Sequence, residues 1–480
     1  MDQSARQQIQ DQMLASVREI VAFGIRRPGS PAGLATERFL EQQFKELGLS
    51  DVRAEPVPVH HWAPSATDLR FASDNHPIAC FAVPYTAWTP QGGYRAPTVY
   101  VGDGNPAALE DADLRGKVAV VDIRFGEFSA AILKAGSHFV HDPTQSIPDG
   151  PLHAATWLIS NFAAYYQAQR RGAVALVGLL RDCPIDGPEQ YVPYDGFLKD
   201  LPAVWVGRES AAGVSQRAQQ GEEILFTSTG KTEEVTSHNI VGIVPGTTDE
   251  SIILTCHHDA PFASAVEDAS GLAVLLWLAG NFAATPGRLR RSLVFIASSG
   301  HFHGGVGNRV FVETHRDGLL QKTVAALGIE HIAEEVEEDG HGGYRKTGRP
   351  EVRALFVDDT PCLVQLLRDG TERWELDRTI GVKAYLFGPE PPCDSAPFFT
   401  AGIPSACHIS GPLYLFDPHD TMDKVRADDL PRVARLFGEL VETLDGVGAA
   451  ELDEGLTRRR DDPPAPPPPW FLPPAAYLGS

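Results

Sequence analysis

The chain has 480 residues with 41 basic and 63 acidic side chains, a formal balance of −22. It is too long for one simple core, since domains run to roughly 100–200 residues, so two or three are expected. Its 43% hydrophobic and 22% charged residues are those of a globular protein, and its negative balance leaves no electrostatic footprint for nucleic acid or an anionic membrane.

Residues 1–19 are polar and lack the apolar core and cleavage site of an export signal. No run approaches the roughly 20 apolar residues of a membrane span. The six cysteines (Cys80, Cys183, Cys256, Cys362, Cys393, Cys407) are scattered without a CxxC pair. A cytoplasmic protein with reduced, buried thiols is expected.

In chain order, Phe39, Leu40, Phe44 and Leu47 recur at helical spacing and Gly48 stands at a C-cap position, which predicts a helix over 34–47. From 67 to 237 the texture becomes short apolar runs (98–101, 117–123, 173–180, 202–206) punctuated by Gly and Pro, the pattern of an inserted β-rich domain. Beyond Asn239, strand-like runs at 240–244, 252–256, 293–297, 324–329, 384–387 and 405–409 alternate with helical ones. That alternation predicts an α/β fold, a mostly parallel mixed sheet with helices on both faces. The run 271–282 is apolar nearly all round, hence a buried helix. Val433, Leu436, Phe437, Leu440 and Leu444 predict an amphipathic helix opened by Asp428 and Asp429. The Pro-rich end reads as polyproline II, unable to build a core. The expected division is 1–66 with 238–458 as one domain, 67–237 as the insert and 459–480 as a tail.

Ligands of an open α/β sheet bind beyond the carboxyl ends of its strands. Three expected strands end in His257-His258-Asp259, in Ser299-Gly300-His301-Phe302-His303 and in Glu330-His331. His257 can offer a ring nitrogen to a metal while Asp259 serves as the carboxylate that fixes its tautomer. Glu267-Asp268 opens the buried helix, where an acidic N-cap is the simpler reading. Taken singly, each of these loops reads as ordinary structure.

In combination, the order of these motifs resembles the zinc aminopeptidase family, the di-zinc exopeptidase fold that also includes glutamate carboxypeptidase, glutaminyl cyclase and the catalytically inactive transferrin-receptor ectodomain. Arg26-Arg27-Pro28-Gly29-Ser30-Pro31 is similar to the family's R-x-x-GSP signature, and the segment from Ser264 to Gly271 to its GANDNASG segment. Residues 293–312 follow its Glu-Glu loop, anchored by Gly300, Gly304 and Gly307, and 394–404 its SDHxxF...GIP stretch. Asp420-Thr421 with Asp423-Lys424-Val425 is similar to its DT-x-DKV ending. Asp113-Leu114-Arg115-Gly116-Lys117-Val118 and Gly172-Ala173-Val174 resemble the entry strand and GAV strand of the protease-associated domain found as an insert in the family.

The resemblance implies two zinc ions held at five ligand positions, with a Glu as general base. Residue by residue, the first-site ligands fall on His257, Glu267 and Glu330, with Asp259 as the orienting aspartate, and both carboxylates are one methylene longer than the family's aspartates. The second-site Glu and His fall on Phe302 and Phe416, and the base falls on His301. Phenyl rings coordinate nothing, so this pattern describes a divergent member with one metal: zinc by family default, manganese or iron(II) as alternatives for an oxygen-rich set. An imidazole at position 301, with a reference pKa of about 6.5, can take a proton from the attacking water and return it to a leaving amine. His303, His331, His408 and His419 lie close to the rim in sequence, each more simply structural, and 334–339 reads as a solvated acidic loop.

The expected function is therefore a metal-dependent hydrolase acting on an amide or peptide-like bond of a small molecule or short peptide. One alternative is an inactive pseudopeptidase that binds without cleaving. Another is non-hydrolytic single-metal chemistry (acyl transfer, lyase or iron chemistry), although the two-histidine, one-carboxylate triad is not obvious in the sequence. No nucleic-acid or membrane partner is expected. The insert and tail leave a homo-oligomer open.

Overall fold

The computed structural model of the protein describes residues 3–285, 287–463 and 475–476. A 14-stranded sheet runs through it. At its centre Ser292–Ser298, Ser251–His257, Thr323–Ile329 and Ser405–Ser410 lie side by side and parallel. These strands are apolar on both faces because helices cover both. Alternation along the strand sends Ile252 and Leu254 to one face, where they pack with the buried helix Gly271–Ala283 and with Leu436, Phe437 and Leu440 of Leu430–Leu444. Ile253 faces the other way, onto Phe311 of Val306–His315 and Phe398 of Ala396–Thr400.

Two strands of 22 residues, Ser50–Phe71 and Glu223–Val244, form one long antiparallel ribbon. Residues 240–244 of the second pair with Ser292–Ser298, and residues 223–226 pair with Tyr94–Tyr100. The ribbon thus carries the sheet on into a second parallel group: Tyr94–Tyr100, Val118–Asp122, Ala175–Leu179 and Ala203–Val206. Ala163–Arg170 and Arg208–Gln219 cover opposite faces of this group and build two separate apolar cores.

The sheet departs from the expected division in two ways. Cuts at 66/67 and 237/238 fall inside the two ribbon strands, which are continuous. Within the expected insert, Ser137–His141 leaves its neighbours and pairs with Thr379–Lys383 at the far edge of the central sheet. The hairpin Phe125–Ser129 with Pro151–Ile159 goes the same way, and Thr156 donates from it to the Leu413 carbonyl at 2.9 Å. Short apolar runs reveal strands but not their neighbours.

Smaller differences have local causes. The strand expected at 384–387 is Thr379–Lys383, and 384–387 is a turn. Arg353–Val357, an unanticipated strand, lies antiparallel to Ser405–Ser410. Glu334–Glu338 is a strand paired with Tyr344–Pro350, because Val336 is buried while its acidic neighbours Glu337 and Glu338 stay exposed. The helix Gln3–Val21, too polar to stand out, buries Met13, Val17 and Ile20 against the core. Beyond Pro463 the expected polyproline tail lies outside the described residues, apart from 475–476. Among the described residues no helix is long and apolar enough to cross a membrane.

Glu351 gives a test of the packing beside Thr379–Lys383. One of its oxygens accepts from the Val352 amide at 2.8 Å, the other has no hydrogen-bond partner, and burial, reinforced by Glu335, pushes the carboxyl up to about 8. The fold holds the acid neutral where the unfolded chain ionises it. Its contribution to stability is therefore full below the unfolded value near 4.5 and is lost as pH rises toward 8. Chemical denaturation of Glu351→Gln should lose this part of the decline, about 1.4 kcal/mol per pH unit at most, and an unchanged slope between pH 5 and 8 would refute the assignment.

Candidate metal centre

The loops beyond the carboxyl ends of the central strands converge on one rim. His257 ends Ser251–His257, while Glu267 and Asp268 stand in the turn Val266–Ser270 before the buried helix. Asp420 holds that turn by accepting the amides of Ala265, Val266 and Glu267 at 3.2, 2.8 and 2.9 Å. From the other side the buried Arg26 donates to the carbonyls of His258, Ser264 and Glu267 at 3.0–3.3 Å. His301 and Phe302 sit in a single tight turn bounded by Gly300 and Gly304, whose φ values of 74° and 73° favour glycine. A Cβ on Gly307 just beyond would fall on the Ser299 carbonyl oxygen.

Backbone carbonyls can only accept, so each of three buried imidazoles carries a proton on Nδ1. His257 Nδ1 donates to the Asp259 carbonyl at 3.0 Å, His331 Nδ1 to Ser410 at 2.7 Å and His408 Nδ1 to Glu330 at 2.9 Å. His257 Nε2 then lies 3.0 Å from Glu267 Oε1, and His331 Nε2 lies 2.5 Å from Glu267 Oε2. Glu330 Oε1 accepts from the Asp394 amide at 2.8 Å and the Cys407 thiol at 3.0 Å.

His257 Nε2 and His331 Nε2 meet only the two Glu267 oxygens, and these four atoms, Glu330 Oε2 and Asp394 Oδ2 are all buried with no other hydrogen-bond partner. Unsatisfied buried polar atoms are costly, and six in one place call for a common partner. Ligand atoms of His257, Asp268, Glu330 and His331 lie within 4.8 Å of one another, as do those of His257, Glu267 and His301. The three positions assigned from the sequence, His257, Glu267 and Glu330, are thus spread over two overlapping clusters that share His257. Electrostatics point the same way. Burial works against a charged His331, yet Glu267 overrides it and holds the imidazole at about 10. His257 is raised likewise despite burial, while Glu267, flanked by both rings, is held well below the carboxylate range. Burial and Asp394 push Glu330 up to about 7. Protons on imidazole here do the work of a cation, and the donor set fits a divalent ion.

Phe302 and Phe416 are fully buried and touch, with ring centroids 5.0 Å apart. Tyr191 packs on Phe302 at 5.7 Å, and Tyr194 on Phe416 at 4.9 Å. The His301 ring is sandwiched between His257, at 4.0 Å, and Tyr194, at 5.5 Å. Its Nδ1 lies 3.3 Å from Asp394 Oδ1, and its Nε2 lies 4.0 Å from Glu267 Oε1.

Asp259 acts differently from the expectation. Its backbone carbonyl, not its carboxylate, takes the His257 proton, and the carboxylate instead accepts the amides of His301 and Phe302 at 3.1 and 2.8 Å. It fixes the loop that carries the expected base. His331, Asp268 and Asp394 belong to the centre although spacing did not select them. Successive strand residues face opposite ways, but His331 has φ 48°, which turns it back beside Glu330. The pair of imidazoles with a carboxylate, not obvious in sequence, is present here in space. The other rim histidines lie apart: His303 packs on His60 and Tyr85, burial lowering it to about 4, His408 is held neutral behind Glu330, and His419 pairs with Asp417 at 3.0 Å.

Residues 239–441, which supply every one of these central donors, match the family described as Peptidase family M28. That match takes in a little under half of the chain. Among solved structures it is similar to BSAP, a zinc aminopeptidase from Bacillus subtilis, with TM-score 0.68 and 18% identity over 93% of this chain and 98% of that one. The aminopeptidase from Aneurinibacillus sp. strain AM-1 gives a TM-score of 0.62 at 21% identity, covering 90% and 93%. These likenesses concern the fold. Among curated proteins, carboxypeptidase Q of Bos taurus is 22% identical over 285 residues, 58% of this chain and 55% of that protein. Aminopeptidase NAALADL1 of Mus musculus is 27% identical over 146 residues, 29% and 19%. The chain's matches span about half and a fifth of those two relatives.

The separation of duties within His257-His258-Asp259 predicts that Asp259→Ala retains bound metal while His257→Ala loses it. Metal content by mass spectrometry, measured beside folding by circular dichroism, checks this. Equal loss in both variants would mean that the Asp259 carboxylate supports the ligand directly.

Proposed function

We propose that the protein is a metal-dependent hydrolase of an amide or peptide-like bond in a small molecule or short peptide, working with one catalytic ion. The observation that carries this reading is the convergence of buried ligand-type atoms of His257, Glu267, Glu330 and His331, none of them paired outside the cluster. The family match supports peptide chemistry. The contact between Phe302 and Phe416 supports a single ion, because two phenyl rings fill the positions where the family resemblance implies a second pair of ligands. Zinc suits this nitrogen and oxygen set, with manganese or iron(II) as alternatives.

An ion in this place supplies Lewis acidity to a substrate carbonyl and to the attacking water. The chain's own residues do the rest. His301 is the proposed base: Asp394 orients its Nδ1, the rings of His257 and Tyr194 fix its plane, and Nε2 faces inward, where it receives the proton that the leaving amine later takes. Tyr194, Phe302 and Phe416 exclude water from one side of the reacting bond. The six cysteines, all unpaired, support a reducing, cytoplasmic setting. A second reading, non-hydrolytic chemistry at a single ion, is favoured by the two imidazoles beside Glu267.

Protein purified without added metal should contain about one equivalent that depends on Glu330 and His257, and Phe302→Glu combined with Phe416→His should raise this toward two. Standard aminoacyl chromogenic substrates should turn over poorly, and His301→Ala should reduce hydrolysis of the true substrate by about 10²–10⁴-fold without releasing the metal. Brisk aminopeptidase turnover with two equivalents dependent on His257 would overturn the single-ion reading. Iron in place of zinc, with no hydrolysis in a peptide and amide library, would favour the second.

A further inference from the structure

Glu330 also belongs to a second cluster of ligand-type side chains. Cys407, buried on Ser405–Ser410, donates its thiol to Glu330 Oε1 at 3.0 Å. Cys393, half-buried, lines the cleft that also contains Tyr194, His301, Arg309, Glu390 and Asp394. Ligand atoms of Glu330, Cys393 and Cys407 all lie within 4.8 Å of one another. Two thiolates bound to one ion at about 2.3 Å each stand at most about 4.6 Å apart. The spacing is therefore that of a metal site needing little closure. The peptidase reading uses neither thiol.

We propose that Cys393, Cys407 and Glu330 Oε1 form a second site for a soft divalent ion such as zinc or cadmium. Glu330 has an oxygen for each side: Oε1 already meets the thiol, and Oε2 has no partner. The cleft provides the entry path. Binding replaces the thiol protons of Cys393 and Cys407 with the ion and releases them to solvent. Thiolate selects the softer ions, so manganese and magnesium should not fill it.

The test is a cadmium titration of the full chain, kept reduced and metal-free, followed by near-ultraviolet absorption from thiolate-to-metal charge transfer. A band that saturates with the ion is expected, lost in Cys407→Ser and in Cys393→Ser, and retained in His257→Ala, which disables only the catalytic position. Cys393→Ser, at a half-buried position, decides the matter if Cys407→Ser fails to fold. No band in the parent chain, or a band unchanged in the serine variants, overturns the proposal. The readout is independent of hydrolysis, so an inactive protein with a thiol-dependent band would sink the hydrolase reading and leave this one standing.

Discussion

Glu267 lies wholly buried between two imidazoles, 3.0 Å from His257 and 2.5 Å from His331, with Asp268, Glu330 and Asp394 buried around it. So many carboxylates out of water are tolerated only where positive charge meets them. Much of the surrounding structure serves that demand. Arg26 reaches in from the N-terminal segment but spends its hydrogen bonds on carbonyls, so it shapes the turn without pairing directly with the acids. Asp420, which burial pushes up to about 7, holds the same turn from the C-terminal side. The two signature segments farthest apart in the chain thus act together on one backbone loop and leave the centre to histidine and an ion.

The aromatic wall follows from the same constraint. A phenyl ring where a ligand once suited the fold removes a donor and also removes water from that side. Phe302 and Phe416 pack with Tyr191 and Tyr194 from the stretch between the two ribbon strands, and Trp62 and Tyr85 extend the cluster. The Tyr85 hydroxyl donates to the Phe302 carbonyl at 2.6 Å, tying the wall to the 301–303 turn. The rings of Phe302 and Phe416 thus form part of a packed aromatic surface.

The central strands and the two core-facing helices were legible because their apolar runs were long and their caps were marked, as with Gly48 after 34–47 and the acidic pair before Leu430–Leu444. The convergence of His257, Glu267, Glu330 and His301 was legible only through the order of several motifs, since each loop alone reads as ordinary capping. His331, next to Glu330 at the rim, reads more simply as structural in the sequence, and its left-handed backbone brings it into the centre. Asp394 was hidden by distance in the chain, and the role of the Asp259 carboxylate by the choice its loop makes between backbone and side chain. The strand Ser137–His141 carries no mark of the partner it finds on the far side of the molecule. Local pattern encodes the element, while the destination is a property of the whole chain.

The two unbroken ribbon strands carry a mechanical consequence. At about 3.3 Å per residue, each 22-residue strand reaches roughly 70 Å and belongs to both halves of the sheet. A hinge between those halves would have to bend this paired ribbon, whose register is irregular between Pro64 and Ala66. The cleft lined by Tyr194, His301 and residues 390–394 is thus framed by segments that one pair of strands joins.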